Sequence, residues 1–410
     1  MSAKILLVSF LLVISLISCK KDDSATQVTP TDSPGKQHDI AWPSLANSPW
    51  PMNHHDPQST GRSSLLGPAM GVLEGDYSIT PMSYGGVVAL NDTTLIVGGK
   101  ITAIRMDGTI RWTYGPASVT LSNALTTTPI VTSDGKIVAA SQDGIISAVR
   151  FDGTLAWQYT TQEAFIQQGT NIGLDGVFYC ISMQGTLYAI NPDGALKWSL
   201  KNSKFSGNER SVLTFSPDGK TLYVPGEGIA VNALDVTSQT IKWSFGNTRY
   251  LVLAPMVDCE GNIYVLGTDT SNGSIPSLFS LRSDGTIRWT FQHGNRYEPI
   301  MAGDPTIDAN GNIYFAFDTL YAVDYDGHLR WKVGVQNGAD VPLVCDANGT
   351  IYLTLWLNGN TETAIDTRGN TLWSTPFSSP TYFIDSSPAI VSNQRLFIQG
   401  MKNSKVYKWK

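Results

Sequence analysis

The chain has 410 residues, of which 42% are hydrophobic and only 15% are charged, and its net charge is -6. This balance excludes an intrinsically disordered chain, which needs low hydrophobicity and high net charge, and it offers no basic surface for nucleic acid. The 38 glycines and 11 tryptophans instead favour an all-β chain with many tight turns.

The chain begins with a predicted export signal, residues 1–18. Lys4 supplies a positive charge, and the apolar run from Ile5 to Ser18 is too short to span a bilayer. Cys19 follows this run directly, an arrangement that resembles the signals of bacterial lipoproteins, in which the cysteine carries the lipid. We therefore predict cleavage before Cys19 and lipidation of Cys19, with a plain secretory signal as the alternative.

Residues 19–41 are predicted to form a lipidated, flexible tether, because Ser, Thr, Pro and Asp dominate and no apolar period occurs. Its start, Lys20-Lys21-Asp22-Asp23, resembles the tethers of Bacteroidetes surface lipoproteins, although a solvated charge run is an equal alternative. No later segment has the ~20 apolar residues needed to cross a membrane. The protein is predicted to be exported and held at the outer membrane by its lipid alone, facing the periplasm or the cell surface.

Residues 42–410 are built from one repeat, in which an alanine or serine, a turn and a tryptophan follow one another over about ten residues. Examples are AVRFDGTLAW, which ends at Trp157, and SLRSDGTIRW, which ends at Trp289. The tryptophans are spaced 41 to 46 residues apart, the length of one four-stranded propeller blade. Seven copies occur, ending at Trp112, Trp157, Trp198, Trp243, Trp289, Trp331 and Trp373.

The two ends of the repeat region supply an eighth unit. Pro388 to Trp409 predicts three strands without a fourth, and Met70 to Ile79 predicts a lone strand upstream of the first copy. Pairing that strand beside Val406 to Lys408 would close the ring and protect its edges. The predicted fold is therefore an all-β, eight-bladed propeller of four-stranded antiparallel blades; an open seven-bladed ring would leave the C-terminal strands unexplained.

The repeat resembles that of the pyrroloquinoline-quinone (PQQ) propeller family, and the lipid anchor and blade count resemble BamB-like assembly lipoproteins. This resemblance implies that each repeat tryptophan docks between neighbouring blades. Most copies are one residue shorter than the family pattern, and the copy ending at Trp243 lacks the turn glycine. Residues Trp50 to Ser63 resemble the segment that opens bacterial members of the family.

The same family includes quinoprotein dehydrogenases, and the resemblance implies for those enzymes PQQ, calcium, a catalytic Asp and often a disulfide between adjacent cysteines. Here Cys180, Cys259 and Cys345 are not adjacent. We place Cys180 in a strand and the other two in matching turns of separate blades, too far apart for a bridge. We therefore predict no cofactor and no enzymatic activity.

Two further patterns could suggest metal binding. His54-His55-Asp56 contains the one histidine pair, but a metal site needs three or four ligands, so we expect this segment to seal one end of the propeller. Arg62 could pair with Asp56 there. Asp308 to Asn312 resembles the start of a calcium loop but lacks its later glutamate, which indicates a hairpin turn. We predict no metal.

The longer connections between repeats lie on one face of such a propeller, and binding residues concentrate on loops of this kind. Arginine and tyrosine are typical of interfaces. Our candidate binding face comprises Arg210, Arg249, Tyr250, Arg296, Tyr297, Asp340 and Tyr382. Two functions stay open: a monomeric disc that binds or scaffolds proteins at the envelope, or a surface lipoprotein that binds a glycan or small ligand.

Overall fold

The computed structural model describes residues 35–79, 85–116, 118, 120, 123–165, 169–207, 212–226, 229–246, 255–269, 275–293, 303–335, 341–355, 360–377, 387–391, 394–400 and 405–410. Residues Pro34–Lys410 form one compact unit. No helix in the described part of the chain has the length and apolar character needed to cross a membrane.

The described residues form eight antiparallel sheets of four strands each, which are the blades of a propeller. Blades 1 to 4 each use four consecutive strands, called A to D in chain order. Blade 1 consists of β2 Val88–Asn91, β3 Thr94–Val97, β4 Ile101–Arg105 and β5 Ile110–Tyr114, and blade 2 of β6 Ile130–Val131, β7 Lys136–Ala140, β8 Ile145–Arg150 and β9 Leu155–Thr160. Blade 3 consists of β10 Thr170–Ile172, β11 Phe178–Ile181, β12 Thr186–Ile190 and β13 Leu196–Lys201, and blade 4 of β14 Thr214–Phe215, β15 Thr221–Gly226, β16 Ile229–Asp235 and β17 Thr240–Phe245.

Blades 5 to 7 follow the same order, and blade 8 combines three C-terminal strands with one from the N-terminal side. Blade 5 consists of β18 Met256–Val257, β19 Ile263–Asp269, β20 Ile275–Leu281 and β21 Ile287–Gln292, and blade 6 of β22 Thr306–Ile307, β23 Ile313–Ala316, β24 Thr319–Val323 and β25 Leu329–Gly334. Blade 7 consists of β26 Val344–Cys345, β27 Ile351–Leu355, β28 Thr361–Ile365 and β29 Thr371–Pro376, and blade 8 of β30 Ala389–Val391, β31 Arg395–Gly400, β32 Lys405–Trp409 and β1 Leu73–Ser78.

The predicted closure of the ring is confirmed, because β1 pairs antiparallel with β32. Tyr77 lies opposite Val406, as the sequence predicted for this strand. Charged side chains reinforce the seam: Glu74 contacts Lys408 at 2.9 Å and Arg395 at 3.0 Å. The hydrogen bond from Arg395 lowers the pKa of Glu74 to about 2, so the pair stays charged at neutral pH. The strand edges that an open ring would expose are therefore paired.

Burial falls from the inner to the outer strands of each blade. Strands A of neighbouring blades contact one another, for example β2 with β6 and β22 with β26, which places them around the propeller axis. Strands B and C are buried almost throughout, whereas strand D alternates between half-buried and exposed residues. Each blade is thus covered by neighbours on both faces, and only its outer edge meets solvent.

The described part of the chain begins at residue 35, before the predicted end of the tether at residue 41. The Gln37 amide donates to the Ala309 carbonyl at 3.0 Å, and the Gln37 side chain accepts a hydrogen bond from the Cys259 amide. Residues 35–41 therefore lie against blades 5 and 6, because their polar groups match the exposed backbone of two turns.

The predicted position of Cys345 was wrong. Cys345 ends strand β26, whereas Cys259 lies in the turn after β18. The aspartates Asp258 and Asp346 are the matching turn residues, since each accepts hydrogen bonds from the amide two residues later. Cys345 therefore precedes its turn and points into the core, where it is buried.

Candidate functional site

Every residue of the candidate binding face lies outside the described residues, namely Arg210, Arg249, Tyr250, Arg296, Tyr297, Asp340 and Tyr382, and so does Cys19. Their roles stay predictions. The described part of the chain nevertheless defines the propeller axis, the blade junctions and one outer edge.

Residues Trp50–Ser63, which we call the central segment, run along the inner strands of the propeller. Their carbonyl oxygens accept hydrogen bonds from strand A amides of successive blades, each between 2.8 and 3.3 Å long. The pairs are Trp50 with Ala89, Pro51 with Val131, Pro57 with Phe215, Gln58 with Val257, Thr60 with Ile307 and Gly61 with Cys345. Blade 3 joins through the Asn171 side chain, which donates to Pro57 at 3.0 Å. The segment satisfies backbone groups that would otherwise face an open channel.

Asp56 organises the central segment. Its carboxylate accepts hydrogen bonds from the amides of Gln58 and Thr60, both at 3.1 Å, and from the Thr60 hydroxyl. Burial raises the pKa of Asp56, but hydrogen bonds from His55 and Thr60 outweigh it, and the net pKa lies below its usual value. Asp56 is therefore an ionised cap that shapes the turn.

Arg62 does not contact Asp56, as the sequence had suggested it could. It binds Asp39 instead, with an Nη2 to Oδ1 distance of 2.8 Å. Asp39 belongs to residues 35–48, which lie over the central segment and enclose with it a cavity of about 290 Å³. Burial lowers the pKa of Arg62, but the hydrogen bond to Asp39 and the negative charges of Asp56 and Asp39 together outweigh it, and the net pKa lies above its usual value.

His54 is a structural residue of this layer. It is 1% exposed, and its Nε2 lies 2.7 Å from the Leu343 carbonyl oxygen beside blade 7. His55 packs its ring edge-on against Trp50, with 4.9 Å between the ring centres. The two histidines thus have different neighbours, His54 beside blade 7 and His55 in the central segment itself.

The described residues do not fit the PQQ and calcium of quinoprotein dehydrogenases. Calcium needs six to eight oxygen ligands, and nowhere in the described ranges do three or more His, Cys, Asp or Glu side chains form a group that could hold a metal ion. The one carboxylate of the central segment, Asp56, already binds its own backbone. We therefore derive no catalytic step from these residues.

The repeat tryptophans lie at the blade junctions. The Trp157 indole donates to the Pro192 carbonyl of blade 3 at 2.9 Å, and a Cβ built on Gly194 would lie 2.7 Å from the ring. Trp112, Trp243, Trp289 and Trp331 make the same pair of contacts with the next blade. Trp373 uses Pro68 and Gly71 instead, because blade 8 has no turn between strands C and D.

Trp198 is the exception at these junctions. Its neighbour in blade 4 is the turn after Asp235, which has Gln239 at positive φ instead of a glycine. Among the described residues, the Trp198 indole nitrogen has no hydrogen-bond acceptor, although its ring lies 5.7 Å from that of Tyr179. The altered contact therefore occurs beside the one repeat whose turn lacks glycine.

The outer edge of blade 7 carries an apolar patch, which we call the seam patch. Met70 is 65% exposed, Val72 46% and Leu66 39%, all within one stretch that contacts strand D of blade 7. Leu372 of that strand is 52% exposed. Ile287 on the outer edge of blade 5 is another exposed apolar residue. Grouped exposed apolar side chains mark interaction sites more often than isolated ones.

The family model described as "Outer membrane protein assembly factor BamB" matches residues 58–210, 97–270 and 271–408. The chain belongs to this family. Its propeller is similar to the crystal structure of BamB from Moraxella catarrhalis, with a TM-score of 0.59 and 14% identity over 83% of this chain and 98% of that one.

Enzymes share the fold of the BamB family. A europium-containing methanol dehydrogenase has a TM-score of 0.62 and 14% identity over 86% of this chain and 90% of that one. The quinohemoprotein alcohol dehydrogenase from Comamonas testosteroni also has a TM-score of 0.62 and 14% identity, over 90% of this chain and 81% of that one. No curated protein sequence matches the chain. The prediction of a PQQ-repeat propeller is confirmed, and identities this low show the fold alone.

Proposed function

We propose that this chain is a non-enzymatic, lipid-anchored propeller that binds a protein partner at the cell envelope. Its membership of the BamB assembly-factor family carries this proposal. The central segment supports it, because the inner strands are hydrogen-bonded to the chain's own backbone and the outer surfaces are then the places for a partner.

The seam patch is the part of the described surface best suited to a protein partner. The Val72 backbone pairs with Lys410, and Lys410, Arg395 and Lys408 surround Glu74 two residues further along the same strand edge. An apolar centre with a charged border is the usual anatomy of a protein interface. We infer that the partner covers Met70 and Val72.

Site-specific photo-crosslinking in the producing bacterium tests this proposal. p-Benzoylphenylalanine placed at Met70 should capture a defined envelope protein, identified by mass spectrometry. The same probe at Ile287, an exposed apolar residue on the outer edge of blade 5, is the matched control. If both positions give the same weak set of products, the seam patch does not bind a partner.

The lipid anchor is a separate part of the proposal. Cys19→Ala should release the protein from the membrane fraction into the soluble envelope fraction, while Cys259→Ala should leave it in the membrane. A Cys19→Ala variant that stays membrane-bound would refute the anchor. Protease treatment of intact cells separates the two orientations, since only a surface-exposed propeller is degraded.

The dehydrogenase alternative has its own test, because enzymes are among the proteins of similar fold. We expect PQQ with calcium to leave both the melting temperature and the visible absorbance of the purified protein unchanged. A saturable thermal shift together with an absorbance change would overturn the non-enzymatic assignment.

A further inference from the structure

The junction between blades 1 and 2 contains a cleft of about 350 Å³. Lys100, Ile101 and Tyr114 of blade 1 line one side, and Asp143, Ser147 and Gln158 of blade 2 line the other. This volume falls within the range of about 300–1,000 Å³ that is usual for small-molecule sites.

Two other junctions are filled at this place by a side chain four residues after the repeat tryptophan. His293 follows Trp289 in this way; it is 6% exposed, and its ring centre lies 4.5 Å from that of Phe317 in blade 6. Phe377 likewise packs against Trp409 of blade 8 at 4.9 Å. The corresponding residue after Trp112 is Pro116, which is exposed. The cleft therefore exists because the filling side chain is missing.

The floor of the cleft is fixed by backbone hydrogen bonds. The Leu125 amide donates to the Gly99 carbonyl of blade 1 at 3.3 Å, and the Gln142 amide of blade 2 donates to the Ala124 carbonyl at 3.0 Å. The connection between the blades is thus tied to both of them. A cleft with a fixed floor loses little freedom on binding.

Gln158 spans the cleft. Its Nε2 donates to the Tyr114 hydroxyl at 3.0 Å and to Ser147 Oγ at 3.1 Å. No described residue donates to Gln158 Oε1 or accepts the Tyr114 hydroxyl proton. Asp143 accepts a hydrogen bond from Ser141 at Oδ1, and its Oδ2 makes none within the described part of the chain. The cleft therefore offers acceptors and one donor close together.

This chemistry matches a sugar. Hydroxyl groups on neighbouring carbons donate and accept at once, as the Gln158, Asp143 and Tyr114 groups require, and the C–H faces of a pyranose can pack against Ile101 and the Tyr114 ring. One lysine and one aspartate line the cleft, so it carries no excess charge for an ion. We propose that this cleft binds a neutral monosaccharide unit. The proposal does not depend on the protein-binding function.

Saturation-transfer difference NMR on the full-length protein tests this site, in a detergent that has no sugar headgroup. The probes are the methyl glycosides of glucose, galactose, mannose and N-acetylglucosamine, each up to about 20 mM, because a ligand this small reaches about millimolar affinity. We expect saturable binding of at least one glycoside.

The variants Gln158→Leu and Tyr114→Phe should weaken that binding by about tenfold, since each removes a polar group that the sugar contacts. Thr290→Ala, at the position of Gln158 in blade 5, should bind like the wild type. Circular dichroism shows whether each variant is folded, and Tyr114→Phe retains the ring. No binding of any glycoside, or equal binding by Gln158→Leu and Thr290→Ala, would overturn the proposal.

Discussion

The Tyr77 hydroxyl donates a 2.7 Å hydrogen bond to the Met106 carbonyl of blade 1, and the Tyr77 ring lies against Gly108 of the same turn. Trp157 makes the same two contacts with Pro192 and Gly194, two residues apart in the turn of blade 3. Tyr77 is therefore the junction aromatic of blade 8, and it packs the last blade against the first.

Tyr77→Phe tests the hydrogen bond at this closing junction. We expect the free energy of unfolding in urea to fall by about 1 kcal/mol, because the ring stays in place and only the bond to Met106 is lost. Tyr159→Phe is the control, since its hydroxyl has no hydrogen bond among the described residues. Equal effects of the two substitutions would show that the bond contributes nothing.

Trp331→Ala tests the proposed docking role of the repeat tryptophans. Removing the indole leaves a cavity between blades 6 and 7 and should lower the free energy of unfolding by about 3–5 kcal/mol. Leu329→Ala, two residues earlier in the same strand and 47% exposed, should cost less than about 0.5 kcal/mol. A loss below about 1 kcal/mol at Trp331 would mean that it does not dock.

Gly194→Ala separates the junction contact from backbone strain. Gly194 has φ +92°, and an added Cβ would lie 2.7 Å from Trp157; Gly135 has φ +85° with nothing within 4 Å. Both alanine variants carry the left-handed strain of about 1 kcal/mol, and only Gly194→Ala must also displace the indole. We expect Gly194→Ala to melt at the lower temperature, and identical melting would contradict the contact.

Glu362 makes the stability of the protein depend on pH between about 4.5 and 8. Burial raises the pKa of Glu362 to about 8 from its usual 4.5, against the opposing hydrogen bond from Thr354. Because the folded-state pKa is the higher one, this contribution to stability is complete below pH 4.5 and is lost as the pH rises to 8. The loss is up to about 1.4 kcal/mol per pH unit.

Glu362→Gln should remove this dependence, because the amide keeps the shape without the charge. Urea unfolding at acid and alkaline pH gives the free energy of unfolding of both proteins. The difference should shift in favour of the variant as the pH rises, because only the wild type loses stability. A difference between variant and wild type that does not change with pH would show that Glu362 ionises in the fold as it does in water.

His293 gives the opposite dependence in acid. Burial lowers its pKa to about 3 from its usual 6.5. Its neutral ring therefore contributes stability that is complete above pH 6.5 and is lost as the pH falls toward 3. His293→Phe should reduce the sensitivity to acid, measured as the change in melting temperature between neutral and acid pH. An unchanged acid profile would mean that the pKa of His293 is the same in the folded protein as in the unfolded chain.

The candidate site was predictable only in part. The central segment was expected to seal the propeller. Its hydrogen bonds to the strand A amides could not be predicted, because those amides lie up to 295 residues from Trp50 in the chain and are brought together only around the axis. Tyr77 was missed because the pattern was defined by tryptophan, and a phenol supplies the same ring and donor. Aligning strand D of the eighth unit with the others would have found it.

The sequence by itself determined the period, the blade count and the strand that closes the ring, because each blade repeats its turns and its aromatic residue within about 45 residues. The tertiary structure alone decided which neighbour each residue meets. Arg62 binds Asp39 rather than Asp56, Cys345 is buried rather than in a turn, and the cleft beside Gln158 is open because Pro116 leaves it unfilled. The physical reason is that local hydrogen bonding sets the repeat, whereas the contacts at the axis and the junctions join residues that are distant in the chain.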